Sequence, residues 1–178
     1  MLKLPDVQAV IGLKVLIAGD VNTGKTFATA KMAQGLLVAG LLDMVILDFA
    51  PETTRGIGGK MPREGLESVE YITTQIIPPR MTAKTPEEVL AFALSNARKI
   101  EAVLQMGLGR PRQVAVINDV SLYLQAAEVD SLLRWLRNAG TALINGYYGK
   151  SFDESEFSRL ECSRMESLMK SCDQVILL

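Results

Sequence analysis

The chain has 178 residues, 19 Lys and Arg against 20 Asp and Glu, a formal net charge of −1 and 48% apolar residues, which fits one globular domain with a generous core. A near-neutral chain without a Lys/Arg run excludes a phosphate-backbone surface, so nucleic acid is not an expected partner. There is no histidine, and the two cysteines, Cys162 and Cys172, fall in one expected helix with no zinc-ligand spacing, which excludes a structural zinc site and histidine chemistry.

The N-terminus lacks the basic, apolar and small-residue order of a signal peptide. Its apolar stretch Val10–Ala18 carries Lys14 and is too short for a span of about 20 residues. The expected location is cytoplasmic, with no membrane partner. In chain order, the run Leu13–Ala18 reads as a buried strand ending in Gly19, and Thr26–Ala39 as a helix closed by Gly40. Met44–Leu47 reads as a second strand, ending in Asp48. Residues 50–66 collect Pro51, Gly56, Gly58, Gly59, Pro62 and Gly65 and form a loop long enough to suspect a function. A strand is expected over Val69–Ile77. The next helix has Thr85 as N-cap, Pro86 at its first position and Glu88 closing a capping box. Val89, Ala93, Ala97, Ile100 and Leu104 line one face of it, and Gly107 is its expected end. Arg110 and Arg112 read as a solvated turn. A strand Val114–Ile117 leads into Asn118-Asp119, a helix spans about Glu128–Asn138, and a strand Ala142–Ile144 leads into Asn145-Gly146. A helix over Glu156–Ser171 and a strand Val175–Leu178 close the chain. Alternating apolar runs and amphipathic stretches, with no repeat or linker, predict one domain: a three-layer α/β sandwich with a mainly parallel sheet.

Gly19-Asp20-Val21-Asn22-Thr23-Gly24-Lys25-Thr26 matches G-x-x-x-x-G-K-[ST] at every fixed position, with an apolar strand before it and a helix after it. Glycines let the backbone curl its amides around phosphate oxygens, and the helix N-terminus adds partial positive charge. The expected binding segment runs from Gly19 through Phe27. Lys25 is expected to reach the β- and γ-phosphates of ATP and to stabilise developing charge, and Thr26 to ligate Mg²⁺.

Ligands of open α/β sheets bind at the carboxyl ends of strands, where Asp48, Asp119 and the Asn145-Gly146 turn lie. Asp119 is the expected Walker B carboxylate for Mg²⁺; the alternative is an Asp that caps the turn. Asp48 reads equally as a second carboxylate or a loop cap. Arg55, Lys60 and Arg63 are candidate anion contacts on the 50–66 loop or ordinary surface cations. Tyr147, Tyr148 and Lys150 either clamp a base or pack down on the domain edge.

With these residues in place, the chain resembles RecA-like P-loop proteins, the group that holds the zinc-bearing thymidine kinases and the ATP:corrinoid adenosyltransferases. The matching patches are Gly24–Gly40, Leu47-Asp48-Phe49-Ala50-Pro51 through Arg55, Asn118-Asp119-Val120-Ser121, Gly146–Phe152 and Cys172-Asp173-Gln174-Val175. The group carries an Asp-Glu pair at the Walker B turn. Here either Asn118-Asp119 takes those two positions, or the register shifts and Val120 follows Asp119. The resemblance and the cradle imply an Mg-dependent ATP-binding protein that hydrolyses ATP or transfers its phosphate. Lys25, Asp119 and Asp48 would then be catalytic, and Thr26 and Asp119 would hold the metal. The second substrate or protein partner is left open. The other reading is a nucleotide-sensing regulatory or assembly protein with little turnover, in which the 50–66 loop is the switch.

Overall fold

The computed structural model describes residues 4–53, 56–152 and 154–178. Six strands form one sheet in the order β3-β2-β4-β5-β1-β6, and every pair is parallel. They are β1 (Lys14–Gly19), β2 (Met44–Asp48), β3 (Glu70–Thr73), β4 (Arg112–Asn118), β5 (Ala139–Tyr147) and β6 (Gln174–Leu177). The central strands are apolar at nearly every position because both faces are covered, as a parallel sheet requires.

Alternate residues of each strand feed two separate cores. Val15, Ile17, Ile46, Val116 and Leu143 pack with Ala28, Met32, Ala33 and Leu36 of α1 (Lys25–Val38) on one face. Leu16, Ala18, Leu47, Ile117 and Ile144 pack on the other face, where Ile100 and Leu104 belong to α3 (Pro86–Leu108). The same layer takes Leu132 from α5 (Val129–Leu136) and Met165 and Leu168 from α6 (Glu156–Ser171). The result is three layers, helix–sheet–helix. Two one-turn helices, α2 (Pro79–Thr82) and α4 (Ser121–Leu124), sit where a strand end and a turn are expected. No helix among the described residues is long and apolar enough to cross a membrane.

Four expectations need correction. The strand expected to end at Ile144 spans Ala139–Tyr147, so Asn145-Gly146 is paired strand and not a turn. The strand expected over 69–77 stops at Thr73, and Pro78-Pro79 opens α2 instead. Gly107 does not end α3, which continues to Leu108. A Cβ on Gly107 would lie 2.4 Å from Leu47 Cδ2, so the residue is small to let the helix lie close on β2. Arg112 is not solvated: its side chain is 4% exposed and it pairs with Asp43 at 3.2 Å and Glu70 at 2.6 Å. Its Nε also donates to the Gly107 carbonyl at 2.9 Å. Arg110 is exposed, and donates through both terminal nitrogens to Asp43.

The close approach at Gly107 gives a sign opposite to helix propensity. Gly to Ala in a helix interior ordinarily stabilises by about 1 kcal/mol. Here Gly107→Ala is expected to destabilise by about 1–2 kcal/mol, because overpacking a filled core costs about 1–3 kcal/mol. A lowered urea midpoint with an unchanged slope is the expected observation.

Candidate functional site

The helix after β1 covers one face of the sheet, and the helices that follow β4 and β5 cover the other. The carboxyl ends of β1, β5 and β4 therefore open into a crevice at a topological switch point. A cleft of about 490 Å³ lies there, within the range of ligand sites. Lys25, Thr26, Asn118, Asp119 and Asn145 line it together with Arg80 and Glu161 from the far side.

The cradle between β1 and α1 is built from backbone. Asn22 and Gly24 have φ of 57° and 88°, while their neighbours stay on the ordinary side. This alternation curls the chain into a concave nest of amides. Gly24 caps α1 with no side chain bonded to the first turn, so the amides of that turn are left for a ligand. Gly19 must be glycine, because a Cβ would meet the Leu178 carbonyl oxygen at 2.3 Å. Lys25 lies across the loop, donating to the Asp20 carbonyl and to Thr23 Oγ1. Burial holds its ammonium below the usual lysine range, against the pull of Asp119 and Asp20. The Asp20 carboxylate has a different task. It receives the side chain of Ser151 and the amides of Lys150 and Val21, which hold it below the usual carboxylate range. It thereby straps the turn after β5 to the cradle. Phe27 is exposed at the rim.

The tip of β4 meets the cradle through an amide. Asn118 is fully buried; its Oδ1 accepts from the Thr26 hydroxyl at 3.1 Å and from Asn145 Nδ2 at 3.0 Å. Its Nδ2 donates to Asp48 Oδ1 at 2.9 Å and to the Gly59 carbonyl at 3.3 Å. Asn118, and not Asp119, is thus the β4-end side chain bonded to the cradle threonine. Asp119 comes one step later with φ of 62°, a conformation Asp tolerates better than most residues. Its amide donates to Asn145 Oδ1 at 2.9 Å, and Ser121 donates to its carboxylate. Burial pushes that carboxylate up to about 6, while Ser121 and Lys25 pull it down and Glu161 and Asp48 push it further up.

Asp48 lies outside the cleft lining. It is fully buried and accepts from Ala50 N, Met61 N, Tyr71 Oη and Asn118 Nδ2 at 2.7–3.0 Å. Four donors occupy the carboxylate, which fastens the loop after β2; of the two sequence readings, this is the loop anchor. Lys60 holds the same loop to the Ala50 carbonyl and to Thr73. Arg63 donates to the carbonyls of Glu67 and Val69 and lies over the Tyr71 ring. Arg55 lies outside the described residues. Tyr147 lines the cleft, edge-on to Phe152 at 4.9 Å, whereas Tyr148 turns away to Glu166.

Three cleft residues escaped the sequence reading. Arg80 of α2 pairs with Glu161 of α6, and Gln125, just after α4, donates to the other oxygen of Glu161 at 3.0 Å. Glu161 was legible in principle, since it shares the inward stripe of α6 with Met165 and Leu168, where a lone carboxylate demands a partner. Arg80 and Gln125 carry no such signal. Among the described residues, no group of three His, Cys, Asp or Glu is placed to cage a metal.

The Asp48 anchor is testable. Asp48→Asn turns one acceptor oxygen into a donor facing another donor, which costs about 1–3 kcal/mol for a buried group. A lower melting temperature and faster amide exchange at Met61 are expected. No protein-family model and no curated protein matches the chain.

Proposed function

We propose that the chain is a RecA-like P-loop protein that binds ATP with Mg²⁺ at Gly19–Phe27 and hydrolyses it or transfers its terminal phosphate. The observation that carries this reading is the Thr26–Asn118 hydrogen bond of 3.1 Å. It brings the nest of amides, the lysine and a strand-end Asp onto one cleft, which is the constellation that phosphoryl transfer needs. One strand, β5, separates the cradle strand from the Asn118-Asp119 strand, so that Asn145 also reaches the same point.

The residues fit a magnesium ion shared with phosphates. The Thr26 hydroxyl gives its proton to Asn118 and keeps its lone pairs, and the Asp119 carboxylate stands in the same cleft. Mg²⁺ commonly takes only one or two protein oxygens and completes its shell from phosphates and water. When bound, the ion neutralises charge on the β- and γ-oxygens. The protein's own part is positional. The amides of the nest and the first turn of α1 hold phosphate oxygens. Lys25 leaves the Asp20 carbonyl for the β- and γ-phosphates, an exchange of a neutral acceptor for an anionic one. Asn145 fixes the Asp119 backbone, and Ser121 fixes its carboxylate. Asp119 thus orients the attacking hydroxyl or water opposite the leaving β-phosphate oxygen.

The sensing reading has its own support in the Thr26–Asn118–Asp48–Met61 chain of hydrogen bonds. It links the Mg-holding threonine to the loop after β2, the link that a switch would use.

Two measurements test the assignment. Saturating MgATP at about a hundred times Kd should stabilise the protein by about 2.7 kcal/mol, a rise in Tm of about 5–10 °C. The rise should vanish in Lys25→Ala. Absence of any shift in the unmodified protein would overturn nucleotide binding. Asp119→Asn should keep the ATP-induced shift and lose phosphate release by about 100-fold or more. Turnover below detection in the unmodified protein, with ATP-dependent amide protection at Met61, would favour the sensor.

A further inference from the structure

Phe27 stands at the rim of the cleft on the first turn of α1, with 61% of its surface exposed. A lone exposed apolar side chain is ordinary, so its place in the backbone is what gives it meaning. Among the described residues, Ala28 is the first of α1 to pair its amide with a backbone carbonyl, that of Gly24 at 2.9 Å, and no side chain caps the turn. The N–H of Phe27 is therefore one of the open donors at this helix start. Thr26, just before it, bonds to Asn118 at 3.1 Å. Successive side chains of a helix diverge by about 100°, so the Phe27 ring leaves the Thr26–Asn118 contact to one side and borders another stretch of the cleft.

The ring is steadied by one neighbour and otherwise open. Lys31, one turn further on, places its ammonium over the ring at 5.5 Å from the centre. That ammonium donates to Gln34, whose own amide donates to the Glu64 carbonyl, so a chain of contacts ties this face to the body of the protein. Among the described residues no second aromatic ring packs on Phe27. The two tyrosines expected either to clamp a base or to pack down are both engaged. Tyr147 sits edge-on to Phe152 and its hydroxyl accepts from the Phe152 amide at 3.3 Å, while Tyr148 donates to Glu166 at 3.0 Å. Phe152 itself meets both Tyr147 and the Arg80 guanidinium. Of the rings that line the cleft, Phe27 is the one with a face to spare.

We infer that the Phe27 ring is the platform on which the base of the bound nucleotide stacks. One residue then holds the nucleotide twice, a phosphate through its amide and the base through its side chain. Thr26 and Asn118 mark the metal end of the polyphosphate, so the sugar leaves at the other end, over the first turn of α1. A phosphate on the Phe27 amide stands one ribose from its base, and the ring of the same residue is the aromatic surface nearest to that point. Stacking uses the π-face that every base has and needs no hydrogen-bonding edge, which suits a ring bordered by an ammonium already bonded to Gln34. The assignment rests on the nucleotide reading above and names the residue that meets the base there.

Titration calorimetry of the intact protein with MgATP, and with Mg²⁺ and inorganic tripolyphosphate, separates the base from the phosphates, because tripolyphosphate fills the cradle and carries no base. Phe27→Ala should weaken MgATP binding by about tenfold, the value of one base–aromatic stack, and leave tripolyphosphate binding unchanged. A merely structural role in α1 would weaken both alike. Phe27→Trp should bind MgATP at least as tightly as the unmodified protein. Its fluorescence, read against the single native tryptophan, Trp135, should be quenched by MgATP and not by tripolyphosphate. The side chain is exposed, so both variants are expected to fold. Equal losses for the two ligands in Phe27→Ala, no loss for either, or no ATP-specific quenching overturns the platform and leaves the cradle standing. Binding of neither ligand by the unmodified protein removes the nucleotide reading and the platform with it.

Discussion

The carboxyl edge of the sheet depends on the carboxamide of Asn118. A buried Asn has two donors and two acceptor lone pairs to satisfy, and here all four are used: Thr26 and Asn145 on the oxygen, Asp48 and Gly59 on the nitrogen. The residue cannot be read apart from Asp48. A carboxylate at 118 would face Asp48 Oδ1 across 2.9 Å, two like charges in a dry site, one of which would have to take up a proton. The negative charge is instead divided between two places. Asp48 spends its charge on the loop after β2, and Asp119, one residue beyond the amide, carries the charge that faces the cleft.

That division explains why the cradle and the loop form one unit. The Thr26 hydroxyl, the Asn118 amide, the Asp48 carboxylate and the Met61 amide are consecutive hydrogen-bonded groups. In a low-dielectric interior such chains polarise one another and are costly to break at any link. Asn145 adds the third strand, holding Asp119 through its backbone and α1 through Thr29. The site therefore sits on strand ends and a helix start rather than on free loops, as a site that must hold atoms within a fraction of an ångström requires.

Glu161 organises the other half of the cleft by the same physics. A carboxylate on the inward face of α6 cannot stay unpaired, and satisfying it fixes an arginine from α2 and a glutamine that follows α4.

By itself the sequence determined the cradle, whose spacing is a local backbone property, and the alternation of buried strands and amphipathic helices, which follows from period-2 and period-3.6 burial. It also marked Asp48 and Asp119 as strand-end groups, whereas Asn145, expected in a turn, lies inside β5. Only the tertiary structure decided which of them meets the cradle. That choice turns on register between β4 and β1, strands not even adjacent, and one residue of slip exchanges Asn118 for Asp119. Gly107 and Arg112 were misread for the same reason. A glycine that permits close packing on Leu47 looks, along the chain, like one that stops a helix, and an arginine buried by Asp43 and Glu70 looks like one in a turn. The Arg80–Glu161–Gln125 cluster draws on three elements far apart in the chain, and no local pattern could announce it.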